Sequence, residues 1–318
     1  MLRQTSESRM RLAGGDLVAI EDLDRPVIEA LLESSRDLIP AAEGKVARRT
    51  LDGKLVAMAF LEPSTRTRLS FEAAVQRLGG RCITIADPAA TSIRKGETLS
   101  DTIRMISSYS DALVLRHPRS GAARLAADVS DRPVINAGDG SHQHPTQTLT
   151  DLAAIHEAHG TLSGLRIVIL GDLKYGRAVH SLIWALALFG NEIVLTSPPS
   201  LRLPESARQR VRPLGGRIQE EPELAQALAG ADILYVTRIQ RERFPDETEY
   251  RKVAGSYRID RTTLEGVRPG LRVLHPLPRL GEIAPEVDRT PHALYFRQAF
   301  LGVPVRMALL QAILGGGI

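Results

Sequence analysis

Cysteine is almost missing from this chain of 318 residues; Cys82 is the only one. A single cysteine excludes an internal disulfide and any metal site built on several thiolates. It lies in the apolar run Cys82-Ile83-Thr84-Ile85, which reads as strand, so a buried structural thiol is expected. A chain without disulfides suits a reducing compartment. Long apolar runs are missing too. None reaches the ~18–20 residues that span a bilayer. Residues 1–11 are polar and charged and lack the apolar stretch of a secretory signal. The expectation is a cytoplasmic protein with no membrane partner.

Aromatic residues make up only 4% of the chain, and lysine occurs five times. The formal net charge of +4 and the pI of about 9.4 suit an anionic partner. With so few rings for base stacking, and with basic residues scattered rather than in runs, nucleic acid is a poor candidate for that partner. Small anionic substrates fit better. Almost all of the 41 basic residues are arginine, whose planar fork grips carboxylate or phosphate with two parallel hydrogen bonds.

What is present is an ordinary globular composition, 43% hydrophobic and 25% charged, on a length that fits two α/β domains. Short apolar runs alternate with amphipathic segments, the pattern of a parallel α/β fold. Strands are expected over residues 55–60, 82–85, 112–115, 134–137, 166–172, 192–196 and 233–236, with a further apolar stretch at 272–274. Helices are expected over 24–39, 69–78, 98–108, 147–158, 180–189, 223–229 and 295–314. The second half starts afresh near residue 147. Ligands of open α/β sheets bind beyond the carboxyl ends of strands, so sequences just after strands hold the chemistry.

Seven such stretches stand out. Glu62-Pro63-Ser64-Thr65-Arg66-Thr67-Arg68 lies between a strand and a helix start, where unused backbone N–H groups, hydroxyls and an arginine can receive phosphate. The same residues would also suit a simple helix N-cap. Ser92-Ile93-Arg94-Lys95-Gly96-Glu97-Thr98 offers a lysine in a loop. Leu115-Arg116-His117-Pro118 puts an arginine at a strand end. His142-Gln143-His144-Pro145-Thr146-Gln147 offers an imidazole donor for a carbonyl and an amide acceptor for an amine. The two histidines could also ligate a metal, but no nearby carboxylate or thiolate completes a set. Gly171-Asp172-Leu173-Lys174-Tyr175-Gly176-Arg177 lacks the three-glycine fingerprint of a dinucleotide fold. Thr237-Arg238-Ile239-Gln240 follows a strand. His275-Pro276-Leu277-Pro278-Arg279 is a proline-fixed turn that presents carbonyls rather than donors.

Taken together and in this order, the seven stretches resemble the aspartate carbamoyltransferases, over about residues 16–314. The resemblance implies two domains, each a parallel sheet flanked by helices: residues 1–146 with 296–318 for carbamoyl phosphate, and 147–295 for L-aspartate. The C-terminal helix returns to the first. It implies transfer of the carbamoyl group to the α-amino group of L-aspartate, a step of de novo pyrimidine biosynthesis, with no metal and no cofactor. By the same resemblance Ser64, Thr65, Arg66 and Thr67 take the phosphate. Thr67, Arg116 and His144 take the carbamoyl oxygen, and Gln147 takes its amino group. Leu277 and Pro278 join this set, the backbone around Pro276 and Leu277 lying near the reacting amine. Arg66, Thr67, Arg116 and His144 form the catalytic set. Arg177 and Arg238 hold the two carboxylates of aspartate, helped by Gln240 and Lys95. Ser92 and Lys95 reach the site from a neighbouring subunit, so the expected assembly is a homotrimer with shared active sites. A regulatory chain or a dihydroorotase joins the trimer in some relatives, and the sequence leaves both open. Ornithine enzymes of this group carry His-Cys-Leu-Pro where this chain has His275-Pro276-Leu277-Pro278. One departure is visible: two residues separate Ser92 from Lys95 where some members have three, and the longer spacing would select Thr91.

Overall fold

The computed structural model describes residues 12, 15–86, 92–239, 244, 246–253 and 255–315. It divides into two compact units, Met1–Thr150 with Phe300–Ile318, and Asp151–Ala299.

In the first unit four strands run parallel in the order β2-β1-β3-β4: β1 is Leu55–Phe60, β2 Arg81–Ile85, β3 Ala112–His117 and β4 Val134–Asp139. Parallel neighbours need long crossovers, and helices supply them. The crossovers are α3 (Thr65–Arg77), α4 (Leu99–Ser108) and α5 (Ala122–Val129); α1 (Arg25–Asp37) and α2 (Ile39–Ala42) precede β1, and α6 (Pro145–His159) follows β4 and ends in the second unit. Asp24 caps α1 by accepting the Val27 N–H at 3.0 Å, and Val27, Ile28, Leu31 and Leu32 form its buried face. Residues of β1, β3 and β4 are almost all buried, as expected for strands covered on both faces. The free side of β4 is closed by the N-terminal segment: the Leu17 N–H donates to Val134 O at 2.9 Å, and the Asn136 N–H donates to Leu17 O at 2.8 Å.

The edge strand β2 corrects an expectation. Arg81, Ile83 and Thr84 are exposed, and Cys82 is half-buried rather than buried. An apolar run at a sheet edge is covered on one side only. Partial burial, with Glu72 nearby, still pushes the Cys82 thiol up to about 11, so it stays protonated near neutral pH.

The second unit holds five parallel strands in the order β7-β6-β5-β8-β9. They are β5 (Arg166–Gly171), β6 (Glu192–Thr196), β7 (Arg217–Glu220), β8 (Ile233–Thr237) and β9 (Arg272–Leu274). Between them run α7 (Arg177–Leu188), α8 (Glu205–Val211), α9 (Leu224–Ala227) and α10 (Glu247–Arg251), before α11 (Tyr295–Leu314). A buried cluster including Val168, Leu170, Leu234, Val236, Val273 and Tyr295 forms the core on one face of this sheet. As expected, the C-terminal helix returns to the first unit: residues 300–314 of α11 belong to it. There the guanidinium of Arg306, only 3% exposed, lies 5.0 Å from the Phe71 ring of α3. Among the described residues no helix is long and apolar enough to cross a membrane.

Gly171 shows why β5 ends where it does. Its φ is +118°, and a Cβ there would lie 2.1 Å from the Thr237 carbonyl oxygen of β8. Only glycine lets the two strands stay paired to their last residue. Gly171→Ala is therefore expected to destabilise the protein by at least ~2 kcal/mol, read as a lower urea midpoint; an unchanged midpoint would show that the strand end can give way.

Candidate active site

Each sheet begins at an inner strand, builds outward on one side and then returns to the other. In the first unit the reversal falls between β1 and β3, in the second between β5 and β8. The gap beyond the strand ends at such a reversal is where α/β sheets bind ligands. The register places the ends side by side, with Phe60 opposite Arg116 and Gly171 opposite Thr237.

Beyond β1 the chain enters α3 through Ser64, which occupies the N-cap position with an extended backbone (φ −160°, ψ 105°) but makes no side-chain capping bond. The simple-cap reading of this serine therefore does not hold. Thr65, Arg66 and Thr67 form the first turn, where N–H groups have no partner within the helix. Thr67 is buried, Ser64 half-buried, and Thr65 and Arg66 exposed. The sequence pattern places the helix start at Leu69. The observed start at Thr65 puts the polar turn on the helix itself, with the positive end of its dipole.

Arg116 closes β3. Its Nη1 donates to Ala137 O and its Nη2 to Glu62 Oε1, both at 3.2 Å, with the two side chains only 12% and 19% exposed. Sequence reasoning gave Glu62 no role; its position at the end of the neighbouring strand was the only clue. A charged bond at low exposure fixes the guanidinium in direction.

The loop after β4 carries His142, Gln143 and His144 into α6. Asp139 organises it. One carboxylate oxygen accepts from Asn136 Nδ2 at 3.0 Å and the Gln143 N–H at 3.1 Å; the other accepts from the Gly121 N–H at 2.8 Å. His142 Nδ1 lies 3.4 Å from that second oxygen. Burial works against the charge on Asp139, but bonds from His142, Asn136 and the Gly121 N–H hold its carboxyl below the usual value. Gly140, at φ +53°, lets the loop pass Ser120, whose Oγ a Cβ would meet at 2.4 Å. His144 is buried, and Gln147 is half-buried one turn into α6. His142 is thus tied to Asp139, and no group of three or more potential metal ligands exists among the described residues.

In the second unit Asp172 is buried and caps the turn after β5, accepting the Lys174 and Tyr175 N–H groups at 3.1 and 2.9 Å. That turn delivers Arg177 to the first position of α7, three residues before the start expected at His180. Arg238 follows β8 directly. A cavity of about 350 Å³ opens there, lined among others by Gly171, Arg238, Tyr250, Tyr257, Arg258 and Glu282. Tyr250 stacks edge-on with Phe244 at 5.7 Å, and Phe244 with Tyr175 at 5.9 Å. Of these three rings only Tyr175 falls in one of the seven stretches, and sequence reasoning assigned it no role.

The proline turn after β9 is held by His275. Its N–H donates to Gln298 Oε1 at 2.9 Å, its Nδ1 accepts from the Leu277 N–H at 2.7 Å, and its Nε2 lies 2.7 Å from Glu282 Oε1. Leu277 adopts φ +54°, and its bond to Pro278 is cis. Burial pulls the His275 pKa down against the pull of Glu282. Glu282 is opposed by burial too, yet bonds from His275 and the Leu280 N–H keep it ionised. Arg279 is engaged elsewhere, donating to Asp288 at 2.6 Å and to the Tyr295 hydroxyl at 3.1 Å. Gln298 Nε2 in turn donates to Asp151 Oδ1 at 2.6 Å, and the Tyr235 hydroxyl donates to Asp151 Oδ2 at 3.0 Å.

Ser64 to Thr67, Arg116, His144 and Gln147 thus belong to the first unit and Arg177, Arg238, Leu277 and Pro278 to the second. Ser92 and Lys95 bound a short 3-10 turn in the first unit; Lys95 is exposed and has no ion-pair partner among the described residues. Gln240 and Thr91 lie outside the described residues.

Residues 15–157 match the family described as aspartate/ornithine carbamoyltransferase, carbamoyl-P binding domain, and residues 163–313 match its Asp/Orn binding domain. The aspartate carbamoyltransferase catalytic subunit of Methanothrix thermoacetophila is 54% identical over 94% of this chain and 97% of its own. Among solved structures, the catalytic subunit of M. jannaschii aspartate transcarbamoylase aligns with a TM-score of 0.85 at 48% identity, covering 94% of this chain and 97% of that one. The Trypanosoma cruzi aspartate transcarbamoylase in complex with carbamoyl phosphate and aspartate aligns with a TM-score of 0.92 at 36% identity, covering 96% and 98%.

Burial lowers the pKa of both His117 and His275 from the ordinary 6.5. Groups held neutral in the fold must take up protons on unfolding. Their contribution is present above pH 6.5 and is lost as the pH falls through the lower folded values. The thermal midpoint should therefore drop as the pH falls below 6.5, before the carboxylates titrate. A flat midpoint over that window would contradict the neutral assignment.

Proposed function

The chain belongs to the aspartate/ornithine carbamoyltransferase family, and from that membership we propose that it transfers the carbamoyl group of carbamoyl phosphate to the α-amino group of L-aspartate. The products are N-carbamoyl-L-aspartate and phosphate, a step of de novo pyrimidine biosynthesis. The observation that carries aspartate over ornithine is the pair of arginines, Arg177 and Arg238, set just beyond the adjacent strands β5 and β8. Two guanidinium forks suit a dicarboxylate and repel a cationic side chain. Pro276, in place of the cysteine of ornithine enzymes, points the same way.

In this reading the carbamoyl phosphate domain comprises residues 1–146 with 296–318, and the aspartate domain residues 147–295. The phosphate rests on the first turn of α3, receiving backbone N–H groups, the Ser64, Thr65 and Thr67 hydroxyls and Arg66. Thr67, Arg116 and His144 donate to the carbamoyl oxygen, and the Gln147 side-chain oxygen accepts from the carbamoyl amino group. Leu277 and Pro278 complete the carbamoyl phosphate contacts. Arg177 and Arg238 take the two carboxylates, with Gln240 and Lys95 assisting. The neutral α-amine attacks the carbamoyl carbon, and the carbonyl electron pair moves onto oxygen. Arg116, already oriented by Glu62, stabilises that negative oxygen together with Thr67 and His144. The carbonyl then re-forms, the bond to the phosphate oxygen breaks, and phosphate departs with the amine proton. Nothing is oxidised or reduced, and every step is served by these side chains without a cofactor. Holding both substrates in one place removes much of the entropic barrier.

We further assign a homotrimer in which Ser92 and Lys95 serve the site of a neighbouring protomer. The exposure of Lys95 supports this, as do exposed apolar side chains of the first unit: Leu69, Ile83, Met105 and Tyr109. The relatives' designation as catalytic subunits supports a place in a larger assembly, whose further chain would be regulatory or a dihydroorotase. The near absence of cysteine supports a cytoplasmic location.

The test is direct. The purified chain is incubated with carbamoyl phosphate and either aspartate or ornithine, beside an Arg66→Ala control. Carbamoyl aspartate alone should form, and the control should be slower by about 10²–10³. Product from ornithine only, or none from either amine by a folded chain, would overturn the reading.

A further inference from the structure

The turn at residues 275–278 reads His-Pro-Leu-Pro. Neither proline has a backbone N–H, so Leu277 carries the only amide donor of Pro276-Leu277-Pro278. That donor goes to His275 Nδ1 at 2.7 Å. A nitrogen that accepts carries no proton, so the neutral ring holds its proton on Nε2. Nε2 faces Glu282 Oε1 at 2.7 Å. The same Glu282 accepts the Leu280 N–H at 2.9 Å, which fixes the far side of the turn. The backbone of His275 is itself anchored through its N–H to Gln298, and its side chain is 1% exposed. The ring therefore has one place to be. Leu277 meanwhile keeps φ +54°, a left-handed conformation that its Cβ disfavours. Among the described residues no backbone hydrogen bond reaches the Pro276 or Leu277 carbonyl.

We infer that His275 is a positioning residue for carbamoyl transfer: as an Nε2-protonated imidazole it captures the Leu277 amide and so presents the Pro276 and Leu277 carbonyls as acceptors for the attacking amine. This rests on the reading of the site given above. The N–H groups of the neutral amine need oxygen acceptors if its lone pair is to point at the carbamoyl carbon, and this turn supplies carbonyls with its one competing donor removed. His275 touches no substrate. It acts through the loop, and Glu282 acts through His275 by holding the proton on Nε2.

Two substitutions separate this role from bulk packing. In His275→Asn the side-chain oxygen takes the place of Nδ1 and can still accept from Leu277, while the bond to Glu282 is lost. In His275→Gln the side-chain amide takes the place of Nε2 and can still donate to Glu282, while the acceptor for Leu277 is lost. Both are measured in the full chain for kcat, KM for aspartate and thermal midpoint. The Gln variant is expected to lose kcat by about 10²-fold, the cost of a small misplacement of reacting groups. The Asn variant should stay within ~10-fold of the unmodified chain, with both midpoints similar. Equal kcat losses, or none, would overturn the inference while leaving the enzyme assignment intact. An unmodified chain that makes no carbamoyl aspartate would sink both together. Nitrogen-15 NMR of the unmodified chain gives an answer independent of folding of the variants: an unprotonated Nδ1 on His275 supports the inference, and a protonated Nδ1 overturns it.

Discussion

Asp151 has no exposure at all, and both of its carboxylate oxygens are occupied, one by the Tyr235 hydroxyl of β8 and the other by the Gln298 amide of α11. A buried carboxylate without such donors would be very costly. With them it becomes the point on which the second unit is hung. Burial and the neighbouring charge push the Tyr235 phenol far up, so it remains a donor at any physiological pH. Gln298 is used in both directions: its nitrogen donates to Asp151 and its oxygen receives the His275 N–H. That bonding pattern settles which end of the amide is which. The helix that opens the unit, a strand at its centre, the helix that closes it and the proline turn thus share one hydrogen-bonded network. Such networks rigidify when every member is satisfied, and the proline turn is held by this one through His275.

Around this anchor the two units repeat one solution. Both sheets are parallel, both reverse their strand order beside the first strand, and both place arginine just beyond that reversal. The geometry explains the economy. Parallel strands deliver all their carboxyl ends to one edge, and each following helix brings its N-terminal N–H groups to the same edge. A phosphate and a dicarboxylate both suit such an edge. The near exclusion of lysine in favour of arginine fits it as well, since a planar fork holds an oxyanion in orientation and not merely by charge.

Much of this was legible in the sequence because the strands were. Runs such as residues 55–60 and 192–196 match the observed strands residue for residue, so the polar residues immediately after each run could be placed at a strand end. The starts of α3 and α7 were read late, at Leu69 and His180, because their first turns are polar and carry no apolar period. The expected burial of Cys82 failed because an edge strand has an open side that composition does not reveal. Neither α8 nor β7 was anticipated; β7, Arg-Ile-Gln-Glu, is short, polar and largely exposed. The partners of Arg116, His275 and Asp151 were hidden for a different reason. Asp151 and Gln298 stand 147 residues apart, and no local pattern announces a pair brought together by folding.

The solitary half-buried thiol on the edge strand has a practical corollary. Alkylating probes react with thiolate, and at pH 7 the Cys82 thiol, held near 11 against an ordinary 9.0, is about a hundred times poorer in thiolate than an open cysteine. A single cysteine introduced on an exposed loop would outcompete it. The wild-type background is therefore already close to a cysteine-free scaffold, ready to carry one fluorophore or spin label at a chosen position without first removing Cys82.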